Sequence, residues 1–64
     1  MDTLKLTSVK ILKSLYDKFK IKTVNTRMSL QKITNRSVYL YVNDNDFTEK
    51  IDKLDQLFVS GSNL

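Results

Sequence analysis

The chain has 64 residues, 41% hydrophobic and 28% charged, with a net charge of +4 and no cysteine, histidine, proline or tryptophan. At this length there is room for one domain, and a single small core buries too little surface to stand without a supplement. Without cysteine or histidine there are no disulfides, thiol nucleophiles or common zinc ligand sets, which leaves association with another chain as the supplement.

The first predicted element is a strand over about residues 6–11. Leu4 to Ile11 alternate loosely and include β-branched Thr7, Val9 and Ile11, which fit a pleated, half-buried surface. Ser14-Leu15-Tyr16-Asp17 then matches a capping box, so a first helix is expected from about 14 to 26. Its stripe comprises Leu15, Phe19 and Thr23 beside Tyr16, with Lys18, Lys20 and Lys22 largely off it.

Ser29 is placed to cap a second helix over 30–43, because Leu30, Ile33, Ser37, Val38, Leu40, Tyr41 and Val42 follow with helical spacing. Val38 to Val42 is apolar almost all round, which suits the centre of a dimer; on propensity alone the same run also reads as a strand. Asn43-Asp44-Asn45-Asp46 interrupts the pattern with residues that favour caps and turns. Asp46 with Glu49 suggests another capping box, and Phe47, Ile51, Leu54, Leu57 and Phe58 give a third amphipathic helix over 47–58 with an acidic outer face. Residues 59–64 are expected to be a disordered tail, and 1–58 a single domain.

Charge divides the chain. Residues 1–36 hold nine Lys or Arg against Asp2 and Asp17, a balance of +7, whereas 37–64 balance at −3. The basic half is the one suited to a polyanion. A lone strand leaves both backbone edges unpaired, a cost that a second subunit removes by supplying an antiparallel partner. Such a two-stranded ribbon has the width that the major groove of B-DNA admits.

Val9-Lys10-Ile11-Leu12-Lys13-Ser14-Leu15-Tyr16-Asp17-Lys18-Phe19-Lys20, followed by Met28-Ser29-Leu30-Gln31-Lys32-Ile33-Thr34-Asn35-Arg36-Ser37-Val38, resembles the ribbon-helix-helix superfamily of DNA-binding repressors over about residues 6–43. The resemblance implies a mostly α fold with one short strand, in an intertwined homodimer whose ribbon is shared between subunits; the C-terminal third helix lies beyond it. It also implies that Val9 and Ile11 face a dimer core with Phe19, Ile33, Val38 and Tyr41, while Leu6, Ser8 and Lys10 face base edges. Lys10 suits guanine O6 and N7, Ser8 several bases, and Leu6 a thymine methyl. In the opposite register Leu6 is instead buried with Leu4.

Ser29 and Leu30 at the second helix N-terminus, with Lys13 and Lys32, are the expected phosphate contacts, because first-turn N–H groups and the helix dipole attract anions. Arg27 stands where the family has glycine or asparagine, so the chain there either turns left-handed or leaves the helix another way.

The expected partners are double-stranded DNA and a second copy of the chain, with no cofactor or metal and a cytoplasmic location. Helix 47–58 either covers the dimer or meets a neighbouring dimer or another protein. An enzyme is not expected, since there is no His, Cys or glycine-rich phosphate loop and the carboxylates lie mainly on one helix face. The alternative function is a small protein-interaction regulator, antitoxin-like or partner-binding, acting through its amphipathic helices. A membrane role is not expected, as no run nears the roughly 20 apolar residues of a span.

Overall fold

The computed structural model describes residues 2–54 and the strand residues 58–59 and 62–63. Three helices dominate: α1 (Lys13–Lys22), α2 (Leu30–Asn43) and α3 (Asn45–Lys53). Two short strands follow, β1 (Phe58–Val59) and β2 (Ser62–Asn63), antiparallel with Phe58 opposite Asn63 and Val59 opposite Ser62. This pairing was not anticipated from the sequence; the rest of the 59–64 tail lies outside the described residues.

Residues 2–12 form neither helix, turn nor strand. Within the described residues no backbone hydrogen bond engages 2–11; Leu12 is the first to be engaged, its carbonyl accepting from Tyr16 N–H at 2.9 Å. The strand expected over 6–11 is not formed in this chain.

Helix α1 starts at Lys13, with Leu12 at the N-cap and no side-chain cap. The expected box at Ser14 is therefore not formed. Ser14 already lies inside the helix, and Asp17 takes an ion pair from Lys13 at 2.8 Å in place of a dipole role at the N-terminus. Both side chains are exposed, so the pair contributes a few tenths of a kcal/mol, on the order of other surface pairs.

Helix α1 ends at Lys22, four residues short of the expected 26, because threonines take over its last carbonyls. Thr23 donates to Phe19 O from both its N–H (3.0 Å) and its hydroxyl (2.8 Å). Thr26 Oγ1 then donates to Thr23 O at 3.0 Å and accepts from Met28 N–H at 3.1 Å. Side-chain hydroxyls thus do the terminating work that a left-handed glycine does in many helices. Lys20 and Lys22 in the last turn oppose the dipole's negative end.

Helix α2 occupies the span expected of it. Ser29 is extended (φ −124°, ψ 163°), its Oγ accepts from Lys32 N–H at 3.1 Å, and its carbonyl receives Ile33 N–H at 3.0 Å. The Val38–Val42 run is helical, not strand.

One residue, Asp44, both ends α2 and caps α3. Its N–H donates to Leu40 O at 2.8 Å, while its Oδ1 accepts from Asp46 and Phe47 N–H at 3.0 and 3.2 Å. The cap expected at Asp46 is therefore two residues earlier, and Glu49 sits 3.9 Å from Lys53 instead of closing a box.

Helix α3 stops at Lys53, where the expected helix ran to 58; Leu54 is non-helical (ψ 91°) and Phe58 belongs to β1. It folds back on α2 through Tyr41, whose hydroxyl donates to Asp52 Oδ1 at 2.7 Å and whose carbonyl accepts the Thr48 hydroxyl.

No residue of 2–54 is fully buried. Phe19, Met28 and Phe47 are the large side chains half-buried beside Leu12. The chain exposes 6492 Å², where a compact monomer of its 7.5 kDa exposes about 4,200 Å². Its radius of gyration, 13.5 Å, likewise exceeds the roughly 11 Å of a compact 64-residue domain. Helical periodicity has made amphipathic elements, but their apolar faces are only partly covered.

Candidate nucleic-acid interface

The expected base-reading residues Leu6, Ser8 and Lys10 all lie on the exposed N-terminal segment, Leu6 at 98% exposure. Val9, expected to face inward, is 73% exposed, and Ile11 is exposed as well. Leu12 is the first of the segment to be half-buried. Along 4–11 the chain thus presents Leu4, Leu6 and Val9, with Ile11 partly covered, together with Lys5 and Lys10.

At the head of α2, Ser29 Oγ engages the N–H of Lys32, leaving those of Leu30 and Gln31 without a hydrogen bond among the described residues. Two free N–H groups at the positive end of a 14-residue helix form an anion-attracting tip. Lys32, one turn in, donates from Nζ to Arg27 O at 3.0 Å, which holds the ammonium beside the loop before α2. Two of its three protons remain for a phosphate oxygen. Lys13 is tied to Asp17, so a phosphate contact from it competes with that ion pair.

The expected core residues are dispersed. Phe19 on α1 is half-buried, whereas Ile33, Val38 and Tyr41 on α2 are exposed, Val38 at 57%. Tyr41 is engaged within its own chain: the hydrogen bond to Asp52, and secondly the carboxylate's charge, raise its phenol above the usual value of 10.0.

Sequence reading did not find an open surface hollow, about 560 Å³, at the end of α1 and the start of α2, lined by Phe19, Met28 and Ile33 together with Lys22, Arg27, Lys32 and Arg36. The spacing of those cations at intervals of five, five and four residues was the available signal. It was hidden because 22 and 27 lie on opposite sides of the helix end that the threonines create.

Among the described residues no group of three or more acidic side chains is placed to hold a metal ion. No described helix is long and apolar enough to cross a membrane. Comparison with known proteins adds no family: no family model matches the chain, and no curated protein or solved structure matches it.

Proposed function

We propose that the chain is a homodimeric, sequence-specific double-stranded DNA-binding protein of ribbon-helix-helix type, acting as a transcriptional repressor. The N-terminal segments of two copies pair as an antiparallel ribbon and enter the major groove. Lys10, Ser8 and Leu6 meet base edges. Ser29 and Leu30 at the α2 tip, with Lys32 and Lys13, fix the dimer on the phosphates.

The observation that supports this best is the basic segment 2–11 with no backbone partner of its own, set ahead of helices that bury no residue. Pairing with a copy satisfies the backbone and covers the helices in a single step. The +7 balance of residues 1–36 supplies the attraction to a polyanion.

Selection of bound duplexes from a random pool tests the proposal. The wild-type dimer is expected to recover a short pseudo-palindromic motif, and Lys10→Ala and Ser8→Ala to relax base preference at symmetric positions. A motif indifferent to both changes would remove the segment as the reader.

The uncovered helix faces also fit the alternative, a regulator that folds onto a different protein. The two readings part on self-association, which DNA-free dimerisation requires and the alternative does not.

A further inference from the structure

Four cations converge where α1 ends and α2 begins. Lys22, Arg27, Lys32 and Arg36 line one open hollow of about 560 Å³, and no acidic residue lines it. They belong to a longer imbalance, for residues 18–43 hold six Lys or Arg and no Asp or Glu. The acid that precedes this stretch, Asp17, is already held by Lys13 at 2.8 Å.

All four side chains are exposed, and among the described residues none of them makes an ion pair. Lys32 alone has a side-chain hydrogen bond among those residues, to the Arg27 carbonyl at 3.0 Å, which holds its ammonium beside the loop. Arg36 follows Lys32 by one turn of α2, about 6 Å along the axis. Like charges gathered without a counter-ion repel one another, so an arriving anion relieves a cost as well as gaining an attraction. The open shape favours a polyanion over a small one. A small ligand is held by enclosing groups, and no residue of 2–54 is fully buried, whereas a phosphodiester chain is bound by exposed cations that displace its counterions.

We propose that Lys22, Arg27 and Arg36, together with Lys32, form a second phosphate-binding patch that holds the duplex backbone beside the stretch read by the N-terminal segments. Lys32 joins the patch to the α2 tip, where its own N–H donates to Ser29 Oγ at 3.1 Å, so a single backbone strand passes from the tip across the hollow. Guanidinium forks meet phosphate oxygens in pairs, which a lysine ammonium does not, and Arg27 and Arg36 supply two of them. Such contacts carry no base information: the patch sets affinity and placement, and the N-terminal segment keeps the choice of sequence. This inference rests on the DNA-binding reading above and adds the path of the backbone.

Salt titrations of the selected duplex, read by fluorescence anisotropy, test it on the wild type, on R27Q/R36Q and on K50Q/K53Q, which removes the same charge from the last turn of α3. In a dimer R27Q/R36Q removes four cations, and the slope of log affinity against log salt is expected to become shallower by about 3, with the recovered motif unchanged. K50Q/K53Q is expected to leave the slope within about 1 of wild type. Circular dichroism checks that helix content is retained; should R27Q/R36Q lose it, Arg36→Gln alone serves, with an expected change of about 2. A change below about 1 in the arginine variant, or an equal change in K50Q/K53Q, overturns the patch, while a base preference that Lys10→Ala still relaxes leaves the DNA reading intact. Inorganic phosphate at matched ionic strength is the arm for a free anion: displacement of the duplex that wild type shows and R27Q/R36Q lacks assigns the patch to a small phosphate and overturns the backbone contact. A wild-type chain that selects no duplex overturns both.

Discussion

At the residue scale, short polar side chains decide where this chain bends. Ser29 and Asp44 each cap a helix through a side-chain oxygen on first-turn N–H groups. Ser29→Ala is expected to cost about 1 kcal/mol, as typical for a lost N-cap, visible as a lower thermal midpoint at fixed chain concentration. Ser29→Asp, which retains a capping oxygen, should recover most of it.

Tyr41 gives a residue-scale prediction in pH. Its phenol is raised because the neutral hydroxyl donates to Asp52 and ionisation would place two negative charges together. A group whose folded value lies above its unfolded one adds stability that is whole below the unfolded value and fades as pH climbs through the folded value. The α2–α3 link should therefore persist through neutral pH and loosen in the alkaline range above 10.0. In a Tyr16→Phe, Tyr39→Phe background, ultraviolet absorbance should show Tyr41 ionising above that value, and Asp52→Asn should bring it down. A titration unmoved by Asp52→Asn would deny the link.

At the element scale, legibility followed the locality of the interactions. Helix α2 could be read to its ends, because its cap and its spacing both lie within the element. The end of α1 was not legible. Its stripe continues through Thr23 in sequence, but the chain leaves the helix there, and the Thr26 hydroxyl takes the carbonyl of Thr23 in a local turn. The start of α3 slipped for a similar reason: in Asn43-Asp44-Asn45-Asp46 several residues can cap, and the one that also closes α2 does so.

For the candidate site, the cap at Ser29 was legible, whereas the cluster of Lys22, Arg27, Lys32 and Arg36 was not, since it straddles the end of α1 that the sequence pattern did not mark. The N-terminal segment is the opposite case: its alternation suggests a strand, and residues 2–12 form neither helix, turn nor strand in this chain.

At the scale of the whole molecule, the surface area sets the main inference. The exposed 6492 Å² exceeds a compact monomer's by roughly 2,300 Å². A dimer of the proposed kind would double the basic half of the chain on one particle. If six or more phosphates are neutralised, affinity for a selected duplex should fall about a thousandfold between 50 and 200 mM salt. A shallow dependence in a fluorescence-anisotropy titration would mean that the cations of residues 1–36 do not face the backbone.

In the proposed dimer residues 6–11 of two copies pair with each other. Isotope-filtered nuclear Overhauser spectroscopy on a mixture of labelled and unlabelled chains tests it most directly. Intermolecular contacts are expected between Cα protons across residues 6–11 in an antiparallel register, symmetric about one point of the segment. A folded protein with no intermolecular contact in 6–11, or with that segment helical, would contradict it.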